Sequence, residues 1–335
     1  MASRRRGFAT AALLAAGMIV LAGCGRGAGD SSSGQAAPAT PDAPAIPVSA
    51  TKNTSRVPGT NPVELAAGAA RAVYPGAGQR PPAIALADAG SWTATVAAAS
   101  LMAAPLKAPL LRTDGGEVPE ATFQAIEELS PTSGKVLRLG TAGSPEGVET
   151  VAIGGADPFT LAANVDAYRA RLTGRWSRSV VVAPVDSPAY AMPAAAWAAK
   201  SGDPVLFTQE DELPAATAKA IRSHGKPRIF LLGPASVVSA GVASQLGQLG
   251  SVTRIGGGTA AASSVAFARF SGSGFGWGVT DPGHGFQFVN PGQPAAAGAG
   301  PPRAPPGPGV VPGTRGVVLV GRSGRGGGSG GGGAG

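Results

Sequence analysis

The sequence predicts an α/β protein made of tandem small open modules, each with a parallel sheet, and three observations predict it. First, blocks recur in order: Gly59-Thr60-Asn61-Pro62-Val63-Glu64-Leu65-Ala66-Ala67 returns as Gly155-Ala156-Asp157-Pro158-Phe159-Thr160-Leu161-Ala162-Ala163, 96 residues on. Pro109-Leu110-Leu111-Arg112-Thr113 returns as Pro204-Val205-Leu206-Phe207-Thr208, and Val118-Pro119-Glu120-Ala121-Thr122 as Leu213-Pro214-Ala215-Ala216-Thr217, both 95 residues on. A fixed order and nearly fixed spacing mark a repeated folding unit. Second, short aliphatic runs alternate with Ala-rich stretches of helical content within each copy. Third, those short runs are continuously apolar, as strands covered on both faces are.

The second copy shows the elements most clearly. Ala162 to Leu172 has helical content, and Ser179-Val180-Val181-Val182-Ala183 reads as a strand. Ala194 to Lys200 reads as a small-residue helix ended by Gly202, and Pro204 to Thr208 as the next strand. Leu213-Pro214 opens a further helix, with Asp211 and Glu212 at the positive end of its dipole and Pro214 suited to the first turn. That helix stops at His224-Gly225, and Arg228 to Gly233 is a strand.

A third copy opens at Arg254-Ile255-Gly256-Gly257, whose Gly-Gly matches Gly154-Gly155, and runs through Ala266-Phe267-Ala268-Arg269-Phe270. Its counterparts of P-L-L-x-T and L-P-x-x-T do not follow, so a truncated module is expected. Residues 295–335 use eight residue types and hold no acid, Lys or aromatic residue. That composition reads as a disordered Gly/Pro-rich tail, either a natural wall-spanning segment or the out-of-frame translation of a GC-rich gene. The expected organisation is therefore 1–24 signal peptide, 25–50 flexible tether, 51–150 first module, 151–250 second module, 251–294 partial third module and 295–335 tail.

The formal charge of +8 is unevenly placed. Four arginines lie in the first 26 residues and four after residue 294, so 19 of the 27 basic residues remain in the body against all 19 acidic ones. A neutral body argues against nucleic acid as a partner. Arg4-Arg5-Arg6, the apolar run Ala11 to Val20 and Leu21-Ala22-Gly23-Cys24 resemble a bacterial lipoprotein signal peptide. The resemblance implies that Cys24, the single cysteine, is diacylglycerylated and becomes the N-terminus, with the acyl chains holding the protein on the extracellular face of the cell membrane. Residues 25–50, rich in Ser, Pro, Gly and Ala, read as the tether.

The sequence carries a further resemblance. An R-x-G-G start, P-L-L-x-T, L-P-x-x-T and then the strand and turn of Leu231 to Val242 are together similar to the cell-wall-binding repeat 2 family, over about residues 51–290. The family implies three Rossmann/Toprim-like α/β modules and non-covalent attachment to anionic cell-wall polymers, with no catalysis and no cofactor. Candidate ligand contacts are Arg56, Asn61, Asp157 and Arg254. Family copies place an Arg-Tyr pair shortly after the Gly-Gly, where this chain has Pro62-Val63, Pro158-Phe159 and Ala260-Ala261.

Two other readings share the envelope compartment. One is a small-ligand-binding lipoprotein with clefts at the carboxyl ends of its strands. The other rests on Asp281-Pro282-Gly283-His284-Gly285, which resembles the opening motif of zinc-dependent N-acetylmuramoyl-L-alanine amidases; a zinc site needs at least three protein ligands, and no His, Asp, Glu or Cys follows His284. No catalytic or metal residue is therefore assigned. His224 reads as a residue of the last helical turn that caps carbonyls or meets the dipole. Gly256-Gly257-Gly258 is an incomplete anion cradle, Glu127-Glu128 and Asp211-Glu212 are solvated helix ends, and the four tryptophans are expected mostly in the core, as is Met102.

Overall fold

Asn61 starts the first helix by geometry as much as by propensity: its Oδ1 accepts from the N–H groups of Val63 and Glu64, both at 3.0 Å, while Glu64 reaches back to the Thr60 N–H at 2.7 Å. The computed structural model describes residues 60–76, 78–279, 286–289 and 317–320, the last two segments as backbone strands. Helix α1 (Pro62–Val73) leads to β1 (Ile84–Asp88), α2 (Trp92–Ala98) with a 3-10 turn at Ala99–Met102, β2 (Leu110–Thr113), α3 (Glu120–Leu129), β3 (Val136–Leu139) and β4 (Thr150–Ile153). The four strands form one parallel sheet in the order β2-β1-β3-β4.

The alternation of side chains along β1 assigns its two faces. Ile84 and Leu86 join Ala67 and Ala70 of α1 and Ile126 and Leu129 of α3 in one cluster. Ala85 and Ala87 face the other way, into a larger core shared with the following module. Each buried Leu or Ile contributes roughly 1.5–3 kcal/mol, and the small alanines let helix and sheet backbones approach.

The second round repeats the first. It runs α4 (Pro158–Thr173), β5 (Ser179–Pro184), α5 (Pro188–Ala191), α6 (Pro193–Ser201), β6 (Val205–Thr208), α7 (Ala215–Ser223), β7 (Arg228–Leu232), α8 (Ala240–Leu249) and β8 (Ser251–Ile255). Its sheet is again parallel, in the order β6-β5-β7-β8. The recurring motifs have a structural use. Thr122 and Thr217, the threonines of the two L-P-x-x-T blocks or their variant, donate to the carbonyls of Arg112 at 2.5 Å and Phe207 at 2.6 Å, tying α3 to β2 and α7 to β6. The second glycine of each Gly-Gly permits a close crossing: a Cβ on Gly155 would sit 2.4 Å from the Leu161 backbone, and one on Gly257 2.7 Å from the Ala262 Cβ.

Sheet and sequence boundaries are out of phase. β4 and β8 are the last strands of the two sheets, which therefore end at Ile153 and Ile255. A β strand completes the sheet whose edge it meets, whatever repeat its residues open. Pro214 is the N-cap of α7, one position before the first turn expected for it. The other ends fall close to expectation, with Gly202 closing α6 in the left-handed region at φ 76°.

The third round supplies α9 (Ala260–Arg269), a two-stranded hairpin of β9 (Ser271–Gly272) and β10 (Phe275–Gly276), and a parallel pair, β11 (Phe286–Val289) with β12 (Val317–Val320). Within 295–335 the four residues of β12 form a strand, for which β11 supplies the backbone partner. The rest of 295–335, the signal peptide, the tether and Asp281–Gly285 lie outside the described residues. No helix among the described residues is long and apolar enough to cross a membrane.

Candidate functional site

A cleft of about 770 Å³ opens beneath the second module, on the side where β5 and β7 begin. Helix α4 gives it Asp166, Arg169 and Thr173; the α4–β5 loop gives Arg175, Trp176 and Arg178; β7 gives Arg228. The end of α6 adds Trp197 and Lys200, followed by Gly202 and Asp203, and the β9–β10 hairpin closes the side with Phe275 and Gly276. Five cationic side chains thus line the cleft against two carboxylates. A concave surface lined by one sign of charge concentrates ligands of the opposite sign.

Both carboxylates are already engaged. Asp203 accepts from the Ser177 hydroxyl at 2.6 Å and the Trp197 Nε1–H at 2.8 Å. Asp166 stands 2.7 Å from Nε2 of His224, and both side chains are almost wholly buried. Arg169 donates through Nε to the Gly202 carbonyl at 2.7 Å and through Nη2 to the Ala104 carbonyl at 2.8 Å. Its Nη1 is buried with no hydrogen-bond partner among the described residues. Burial lowers the Arg169 pKa, opposed by the charges of Asp203 and Asp166.

The aromatic residues divide as their exposure dictates. Trp197 and Trp277 are buried beside Phe275, which stacks on Phe230, and the Lys200 Nζ lies 4.4 Å over the Trp277 ring and 5.1 Å over that of Trp197. Trp92 meets Phe207 edge-on, and Met102 is buried. Trp176 differs: it is 37% exposed at the cleft, with its ring edge-on to His224 at 5.0 Å.

The candidate contacts read from the sequence are placed elsewhere. Asn61 and Asp157 are the N-caps of α1 and α4; Asp157 accepts from the Phe159 and Thr160 N–H groups and the Thr160 hydroxyl, which hold its carboxylate below the usual range. Arg254, on edge strand β8, donates to the carbonyls of Gly233 and Ser239, and burial lowers its pKa. None of these three lines the cleft. Arg56, Cys24 and His284 lie outside the described residues. The Gly257 N–H donates to the Ser263 hydroxyl at 2.8 Å, so the Gly-rich turn is occupied by its own helix. Glu128 pairs with Arg71 at 2.6 Å, a partner the sequence did not suggest. Among the described residues no three of His, Cys, Asp and Glu are grouped to hold a metal ion.

Residues 152–243 match the model of the family described as Cell wall binding domain 2 (CWB2). Over those residues the chain is similar to a cell-wall-binding repeat. The CWB2 match begins inside β4 and ends in α8, and it contains every cleft cation. Among solved structures, Cwp8 from Clostridium difficile is similar with a TM-score of 0.59 and 16% identity over 79% of this chain, and Cwp6 from Clostridium difficile with 0.57 and 15% over 82%. At these identities the likeness is one of fold, and this chain spans 44% of each of those chains. No curated protein matches the chain.

Proposed function

We propose that the protein is an envelope lipoprotein, anchored through Cys24, that holds an anionic cell-wall polymer non-covalently in the cleft of its CWB2 module and carries out no reaction on it. The observation that carries this reading is the concentration of Arg169, Arg175, Arg178, Lys200 and Arg228 around one concave surface of a body that is neutral overall. Trp176 offers an exposed aromatic face beside the cations, against which the apolar face of a sugar ring packs. Lipid and module together would bridge membrane and wall.

Sedimentation of the full chain with purified, membrane-free walls, before and after removal of their anionic polymers, tests the binding. Retention that falls on removal and with rising salt supports it; equal retention on stripped walls contradicts it. Incorporation of labelled fatty acid into the unsubstituted chain and not into Cys24→Ser tests the anchor.

A further inference from the structure

We propose that His224 is a positioning residue for this cleft, and that the proton it shares with Asp166 fixes the loop that presents Arg175, Trp176 and Arg178. The proposal rests on the polymer-binding reading and adds a regulation to it: binding weakens when that proton is lost.

The geometry requires the proton. Nδ1 of His224 is 2.8 Å from the Ser177 carbonyl and Nε2 is 2.7 Å from the Asp166 carboxylate. A carbonyl only accepts, and an ionised carboxylate only accepts. Both contacts are therefore hydrogen bonds only if both ring nitrogens carry hydrogen, or if Asp166 holds a proton that it donates to Nε2. In either state the pair holds one proton more than a neutral imidazole and a carboxylate. Without it, the neutral ring keeps one hydrogen and can donate to only one of the two: with the hydrogen on Nε2 the bond to Asp166 stays and the Nδ1 lone pair faces the Ser177 carbonyl, so the loop loses its hold in a site closed to water, where an unmade bond is costly.

The consequence reaches the cleft through Ser177, which lies between Trp176 and Arg178. Its carbonyl is held by the ring, its hydroxyl by Asp203, and the neighbouring Trp176 ring rests edge-on against His224. The charged groups acting on the pair are Arg169 on α4 and Asp203 after α6, and Arg175 and Arg178 in the loop and Arg228 at the start of β7 line the same cleft. Burial works to lower the His224 pKa, but the bond and charge of Asp166 and the bond to Ser177 outweigh it and raise it; burial raises that of Asp166. Both directions favour keeping the shared proton to a higher pH than a free histidine would.

The test compares the full unsubstituted chain with Asp166→Asn and His224→Ala, each sedimented with the same walls between pH 6 and 9.5. The amide that Asp166→Asn introduces donates to Nε2 of a neutral ring whose Nδ1–H still reaches Ser177, so the clamp persists without a titrating proton. The unsubstituted chain should lose retention several-fold as pH rises, Asp166→Asn should be flat with pH whatever its level at pH 7, and His224→Ala should be weak throughout. A flat profile for the unsubstituted chain, or the same decline in Asp166→Asn, overturns the proposal. Should no chain bind walls at any pH, the binding reading fails, and the loop is read separately by NMR. The Trp176 indole N–H signal then moves with the titration of the His224 ring in the unsubstituted chain and not in Asp166→Asn if the clamp is real, and stays still in both if it is not.

Discussion

Arg169 closes over Gly202, and the two residues exclude any side chain at position 202. The guanidinium Nε donates to the Gly202 carbonyl at 2.7 Å, and a Cβ at that glycine would lie 1.8 Å from Nη2. Gly202 also has φ 76°, which favours glycine. Gly202→Ala should therefore lower stability by about 2 kcal/mol through backbone strain and overpacking, and displace Arg169 from the cleft. Chemical denaturation measures the first effect and retention on walls the second.

The paired threonines predict a shared cost. Thr122→Val and Thr217→Val each leave a strand carbonyl without its buried donor. Each should cost about 1–2 kcal/mol in urea unfolding, and the two values should agree closely because the sites are equivalent.

Arg112 is the polar exception in the first module's core. It is 1% exposed, donates through Nη1 to Thr95, and has its pKa pushed by burial to about 10 against the charge of Asp88. The equivalent residue of the second module is Phe207, also buried. Arg112→Ala should cost roughly 3 kcal/mol, whereas Arg112→Phe, which fills the space and borrows the other module's solution, should cost distinctly less. Thermal unfolding of the two variants checks the order.

The His224–Asp166 pair predicts a stability trend with a definite sign. His224 has its folded pKa raised above the ordinary value of 6.5, so its contribution is whole below that value and is lost as pH rises through the raised folded pKa. Asp166 is raised as well, so it too favours the folded state on the acid side. Stability of the unsubstituted chain should fall from neutral to mildly alkaline pH, and the part of that fall due to the pair should vanish in Asp166→Asn. Urea unfolding at successive pH values reads it.

Local signals gave the elements of the second module, because caps and stops act within one turn: Gly202 ends α6 and His224 ends α7, as read from the residues alone. The repeated Gly-Gly and L-P-x-x-T blocks were visible as repeats, but their purposes were not. A close backbone crossing at Gly155 and a hydroxyl bond from Thr217 exist only once helix and strand are packed. The cleft was hidden for a related reason. Arg169, Arg175, Arg178, Lys200 and Arg228 are scattered through a stretch of balanced charge, and only the parallel sheet brings the ends of α4 and α6 beside the starts of β5 and β7. His224 and Asp166 are 58 positions apart, so no spacing rule joins them. The tryptophans were read correctly as mostly core, with Trp176 the one held out at the cleft.

The most direct measurement is retention on anionic-polymer-bearing walls of the full chain carrying Arg175→Glu and Arg178→Glu, beside a control of equal charge change, Lys135→Glu and Lys219→Glu, both exposed and outside the cleft. The account predicts that the cleft variant loses binding about tenfold or more at moderate salt, while the control stays near the unsubstituted chain. Equal losses in both, or none in the cleft variant, would contradict it.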